Sequence, residues 1–107
     1  MTFDEYQEQA LKTAVYPDKG DNVFYPTLGI TGEAGEIANK VQKIMRGDYL
    51  VDSVADSLAG EIGDLLWFAA ALAHEIGIPL EDIAKQNIVK LQSRYNRGVL
   101  KGDGDNR

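Results

Sequence analysis

The sequence predicts an all-α fold, a four-helix bundle. Three observations lead there. Apolar residues recur at helical spacing through four separate stretches. Turn-forming residues fall between those stretches, at Tyr16-Pro17, Gly47-Asp48, and Gly77 with Pro79. No run alternates apolar and polar residues as a half-buried strand would, and no repeat or low-complexity tract intervenes. The 107 residues suffice for one domain, 1–107, because a second core would need roughly another 100.

The first helix opens on Thr2 with Glu5 three residues later, a capping-box pattern. Phe3, Tyr6, Ala10, Leu11 and Ala14 follow at helical spacing, and Tyr16-Pro17 is expected to end it. Gly20, Asp21, Asn22 and Pro26 give 17–26 the composition of a loop. The second helix is expected over 27–46, with Leu28, Ala34, Ile37, Ala38, Val41, Ile44 and Met45 as its apolar side. The third begins at Asp52 or Ser53, either a good N-cap, and reaches Ile76. The fourth covers 80–97, with Ile83, Ala84, Ile88, Leu91 and Tyr95 as its inner face. Residues 98–107 form a glycine-rich tail without helical period, open to either closing over a site or staying disordered.

Within the third helix, Leu65, Leu66, Trp67, Phe68, Ala69, Ala70, Ala71, Leu72 and Ala73 form an unbroken apolar run. A helix apolar all round is buried all round. Four helices in so small a chain leave each partly exposed, so this run is expected to meet a second subunit in a symmetric homodimer.

Composition excludes several functions. There is no cysteine, hence no disulfide scaffold, zinc finger or thiol nucleophile. A single histidine, His74, rules out a histidine-rich metal site and is read as structural. No stretch is long and apolar enough to span a membrane, and the polar, acidic start is no signal peptide, so a cytoplasmic location is expected. The net charge of -6 argues against duplex nucleic acid as a partner. The charge is unevenly spread: residues 1–84 hold 15 acidic and 5 basic side chains, whereas residues 85–107 hold 2 and 6. The basic end either complements its own helix dipole or forms a cationic arm over a metal-bound polyanion.

Two short motifs carry chemistry. Glu33 and Glu36 in the second helix, and Glu61 and Asp64 in the third, are carboxylate pairs at i, i+3. That spacing puts each pair on one helix face, about one turn apart. If the two helices are antiparallel neighbours, the four carboxylates converge. Like charges gathered in this way need compensation, and a hard cation supplies it. Oxygen-only ligands suit Mg²⁺, with Mn²⁺ as the alternative; two such ions would polarise a phosphoryl group and generate hydroxide. The competing reading is a solvated acidic face, but glycines and apolar residues flank these acids. Gly29, Gly32, Gly35, Gly60 and Gly63 each cost helix stability and suggest close helix approach or room for a ligand, with helix fraying as the other explanation for Gly29 and Gly32.

Asn87, Lys90, Arg94 and Arg97 share one face of the fourth helix and suit phosphate, weighed against ordinary surface ion pairing. Lys40 and Lys43 lie on the Glu36 side of the second helix, where ion pairing is the stronger expectation, as it is for Arg97 and Lys101. Trp67 and Phe68 are core by default, although Phe68, one turn past Asp64, is a candidate base-pocket wall. No Walker-type loop is present, so phosphate would be held through metal and cations.

These residues resemble the MazG-like, all-α nucleoside triphosphate pyrophosphohydrolases. The stretch from Leu28 through Glu36 (LGITGEAGE) is similar to that family's second helix. The stretch from Glu61 through Trp67 (EIGDLLW) is similar to its third, and Asn87, Ile88, Val89, Lys90 and Leu91 with Arg94 and Gly98 to its last. The resemblance covers about residues 25–100. It implies a Mg²⁺-dependent enzyme that cleaves a nucleoside triphosphate between the α and β phosphates to a monophosphate and pyrophosphate, removing non-standard or surplus nucleotides. It implies a homodimer or homotetramer with sites at helix-bundle interfaces. Glu33, Glu36, Glu61 and Asp64 would hold metal, with Glu36 also orienting water. Asn87, Lys90 and Arg94, with Lys43 and Arg97 beside them, would meet phosphate or sugar, in part from another subunit. In the related phosphoribosyl-ATP pyrophosphohydrolases a tyrosine-histidine pair is expected where Trp67-Phe68 stands here. A di-iron bundle needs two Glu-x-x-His motifs, which one histidine cannot supply. A non-catalytic dimeric binding module remains the alternative of a different class.

Overall fold

The computed structural model describes residues 1–49 and 51–107, and four helices account for most of them. They are α1 (Phe3–Leu11), α2 (Phe24–Met45), α3 (Val51–Glu75) and α4 (Leu80–Asn96). No strand occurs among the described residues. No helix is long and apolar enough to cross a membrane.

The Thr2 hydroxyl accepts from the Glu5 N–H, and the Glu5 carboxylate accepts from the Thr2 N–H, completing the capping box of α1. This helix stops at Leu11, short of the expected Tyr16. Its last carbonyls are claimed from outside the helix: Ala10 O accepts from the Thr13 hydroxyl and the Trp67 indole, and Leu11 O from the Lys19 ammonium. The same carbonyls accept from the Thr13 and Ala14 N–H groups in i→i+3 bonds, a tightened last turn that ends the α-helical ladder.

Helix α2 starts one turn earlier than expected and takes in Pro26. Proline lacks only an N–H, and the first-turn N–H groups have no partner inside a helix anyway. The Asn22 side chain accepts from the Tyr25 N–H and so serves that first turn. Gly29 and Gly32 therefore lie inside the helix, and fraying does not explain them.

Helices α2 and α3 run antiparallel. Tyr25 and Gly29 face Phe68, Glu33 faces Glu61 and Asp64, and Lys40 reaches Ser57 and Glu61. A Cβ at Gly29 would overlap the Phe68 ring, so this glycine sets how closely the two helices approach. The same space is open at Gly32, Gly35, Gly60 and Gly63.

Helix α1 crosses the C-terminal half of α3. Ala10, Ala70, Ala73 and Leu80 form one buried cluster under Tyr6, Leu66, Trp67 and Ile83. Ala14, Tyr16 and Ala71 form a second under Leu11 and Trp67. Small alanines let the helices close, and the Gln7 side chain ties both partners by donating to Ala70 O and accepting from the Leu80 N–H.

A carboxylate knots the loop before α2. Glu75 accepts from the Tyr16 hydroxyl, the Gly20 N–H at 2.9 Å and the Asn22 N–H at 3.2 Å. Tyr16 also stacks on Tyr25, centroids 4.8 Å apart. Burial, then Glu75, drives the Tyr16 hydroxyl far above its ordinary pKa.

Only the start of the expected inner face of α4 is covered. Ile83 and Ala84 are half-buried, whereas Ile88, Leu91 and Tyr95 are exposed. Phe24, Leu28 and Ile62 are exposed on α2 and α3 as well. The apolar run of α3 is buried at Ala70, Ala71 and Ala73 and half-buried elsewhere within this one chain. The radius of gyration is 16.6 Å, against about 13 Å for a closed domain of this length.

Candidate metal centre

The antiparallel register of α2 and α3 gathers acids. Carboxylate oxygens of Glu33, Glu61 and Asp64 lie within 4.8 Å of one another. Glu33 comes from the middle of α2, Glu61 and Asp64 from adjacent turns of α3. Glu33 and Glu61 are half-buried and Asp64 is exposed. Glu36, the fourth expected acid, is exposed and outside this set. Three residues of helix turn through about 300°. The same offset separates Glu61 from Asp64, which both reach the cluster, and Glu36 stays near enough for its charge to act on Glu33.

Electrostatics within the set is lopsided. The Glu33 carboxyl is pushed up to about 7 by its hydrogen bond to Glu61, then by burial and by the charges of Glu61, Asp64 and Glu36. Glu61 is held below its ordinary value by Lys40 and by the proton that Glu33 donates to it. The Lys40 ammonium lies 2.7 Å from Glu61 Oε1 and also meets the Ser57 hydroxyl. Lys40 pairs with Glu61 alone of the three carboxylates, and the mutual repulsion that remains favours a proton on Glu33. Hard oxygen donors from two rigid helices, with charge still unbalanced, fit a divalent cation of the Mg²⁺ or Mn²⁺ kind. Lys40 pairs as expected, but with an acid of the motif rather than with surface neighbours. Ser57 carried no motif, although it lies one turn before Glu61 on the same face.

The α4 cations are a separate group. None of them makes a hydrogen bond or ion pair to Glu33, Glu61 or Asp64 among the described residues. Asn87 and Lys90 are exposed. Arg94 is buried, unlike its neighbours on that face, and its partners are the chain's own last residues. Arg97 donates to the Ser93 hydroxyl at 3.0 Å, and Lys43 is half-buried on α2.

Phe68 is half-buried against Gly29 and Trp67, with ring centroids 5.1 Å apart in the Trp67 pair. It lies one turn from Asp64, as a base-pocket wall would. His74 is exposed in the last turn of α3. It borders a groove of about 530 Å³ between α1 and the α3–α4 turn, lined also by Asp4, Gln7, Leu11 and Pro79. His74 is nearly three helical turns from Asp64, so this groove and the acid cluster are different places.

Comparison with known proteins bears on the same residues. A family model described as the MazG nucleotide pyrophosphohydrolase domain matches residues 26–99, which include every acid of the two motifs and the α4 cations. The chain is 45% identical over 114 residues to the Gene 37 protein of Mycobacterium phage L5, and the match spans all of both chains. No solved structure matches the chain.

Proposed function

The chain belongs to the MazG nucleotide pyrophosphohydrolase family, and from that premise we propose that it is a metal-dependent nucleoside triphosphate pyrophosphohydrolase. Its products are a nucleoside monophosphate and pyrophosphate, and its role is housecleaning of the nucleotide pool in the cytoplasm. The observation that carries the reading is the convergence of Glu33, Glu61 and Asp64 across two antiparallel helices.

Glu33, Glu61 and Asp64 would hold Mg²⁺, with Glu36 completing the set or serving the water. When bound, the cation polarises the phosphate and lowers the pKa of water. Around it the protein's own groups divide the work. Glu36, free of the seam, orients a water molecule and takes its proton. The water oxygen bonds to the α-phosphorus as the bridging oxygen to the β-phosphorus leaves, so one water is consumed and pyrophosphate departs. Lys43, Asn87, Lys90, Arg94 and Arg97 meet phosphate and sugar, and Phe68 borders the base. Lys40 keeps Glu61 ionised and aimed at its neighbours.

The bare apolar faces of α2 and α4 and the wide radius of gyration support a homodimer or homotetramer, in which a second copy brings its α4 cations to this acid cluster. The domain is a single unit over 1–107 with 98–107 as its tail.

The test is pyrophosphate release from a panel of standard and modified nucleoside triphosphates, with Mg²⁺ and with chelator. Metal-dependent release of pyrophosphate and monophosphate in equal amounts is expected. Silence across the panel from folded, metal-loaded protein overturns the reading. Light scattering is expected to give at least twice the 11.7 kDa chain mass; a monomer removes the shared-site arrangement.

A further inference from the structure

The C-terminal segment folds back onto α4. Arg94 is buried, and its Nη2 donates to the Asp105 carbonyl at 2.9 Å and lies 3.5 Å from the Gly104 carbonyl and 3.6 Å from the Asp105 carboxylate. Lys90, one turn earlier, is 3.8 Å from the same carboxylate oxygen. Arg107 closes the turn by donating to the carbonyls of Val99, Leu100 and Gly104. The path passes through Gly102 and Gly104 at φ +143° and +83°, where a side chain would strain it.

Lys90 and Arg94 are also the cations assigned above to substrate phosphate. A carboxylate resembles one edge of a phosphate: negative, with paired oxygens. Two anions cannot occupy the same pair of cations, and a buried Arg94 cannot reach a ligand while the tail covers it. We propose that residues 102–107 are a self-occupying strap, with the Asp105 carboxylate standing where a phosphate group of a polyphosphate chain binds; the proposal rests on the phosphate role of Lys90 and Arg94. The strap is lightly held at its acidic end, because the Asp105 side chain is 89% exposed and its ion pairs are screened by water. A triphosphate carries several charges against this single one and displaces it. The device keeps the cations paired when no substrate is present, at a small cost in affinity.

The experiment uses the full-length chain and Mg²⁺-tripolyphosphate, titrated by calorimetry, with backbone amides of 102–107 followed by NMR. Two variants weaken the strap independently: Asp105→Asn removes the competing charge while leaving the main-chain acceptors, and Gly104→Val strains the path. Each is expected to bind tripolyphosphate about two- to fivefold more tightly than the parent. In the parent, saturation is expected to release the tail amides into fast exchange. Equal or weaker binding by both variants, or a tail still protected at saturation, overturns the strap. Lys90→Met in the Asp105→Asn background tells the two ideas apart. If it leaves binding unchanged, α4 is not the phosphate site and the functional reading of these cations falls with the strap. If it weakens binding while neither strap variant tightens it, only the strap falls.

Discussion

Helix α3 carries two kinds of carboxylate. Near its middle, Glu61 and Asp64 meet Glu33 of α2, and Lys40 pairs with Glu61 alone of the three. At its C-terminal end, Glu75 is surrounded by donors: the Tyr16 hydroxyl and the Gly20 and Asn22 N–H groups. The consequences for protonation are opposite. Glu33 is pushed up to about 7, whereas hydrogen bonds from Tyr16 and Gly20 draw Glu75 below its ordinary value. The lesson concerns what each group is for. A carboxylate wrapped in donors is finished, and it holds a loop. Carboxylates that face one another, with Lys40 on Glu61 alone, keep charge that a cation could balance.

Removing one acid from each region separates their roles most directly. Glu61→Gln is expected to cut pyrophosphate release by about 100-fold or more while the protein stays folded by circular dichroism, since even groups one step removed from a metal typically matter 10–100-fold. Full turnover would sink the metal centre. Gly29→Ala tests the seam that aligns the acids. The new methyl meets the Phe68 ring, and overpacking is expected to cost about 1–3 kcal/mol in chemical denaturation. Adding Phe68→Leu should recover part of that loss. Glu75→Gln should lower the thermal midpoint by several degrees yet leave Mn²⁺ affinity unchanged; a lost metal site would show that the two regions are one.

The smallest effect is in the pH dependence of stability, measured in chelator. Glu75 binds its proton less readily folded than unfolded. Its contribution is therefore complete above about pH 4.5 and lost as pH falls through its lowered folded value. Glu33 binds its proton more readily folded. Its contribution is complete below about 4.5 and lost as pH rises toward about 7. Thermal midpoints of Glu33→Gln and Glu75→Gln should accordingly flatten opposite ends of the profile. Mn²⁺ affinity, read by calorimetry, should climb with pH up to about 7 as the Glu33 proton is surrendered. An affinity flat from pH 5 to 8 would show that Glu33 is no ligand.

The four helices, and the two acid pairs of which Glu33, Glu61 and Asp64 meet between α2 and α3, were legible because periodicity and i, i+3 spacing are local properties. What escaped was set by distant groups. Trp67 and Lys19 donate to the last carbonyls of α1 where it tightens and ends, and no pattern within 1–17 announces them. Whether Glu33 or Glu36 turns into the seam depends on the rotation of α2 about its axis, which Gly29 and Phe68 decide. Arg94 looked like its neighbours Lys90 and Arg97 on the same face, and nothing local predicts that residues ten and eleven positions onward would bury it.

The bonds that seat α1 have a consequence for the order of folding. Gln7 reaches Ala70 and Leu80, and Trp67 reaches back to Ala10, across separations of 57 to 73 residues. Contacts between α2 and α3 near their connection span far less, 17 residues for Lys40 and Ser57. Short loops close first because their entropy cost is lower. The α2–α3 hairpin therefore forms ahead of α1 docking. During synthesis α1 leaves the ribosome ahead of α3 and α4, yet it has no surface to lie on until Leu80 has followed. It is expected to dock after the α2–α3 hairpin, and its amides should exchange with solvent before those of α3.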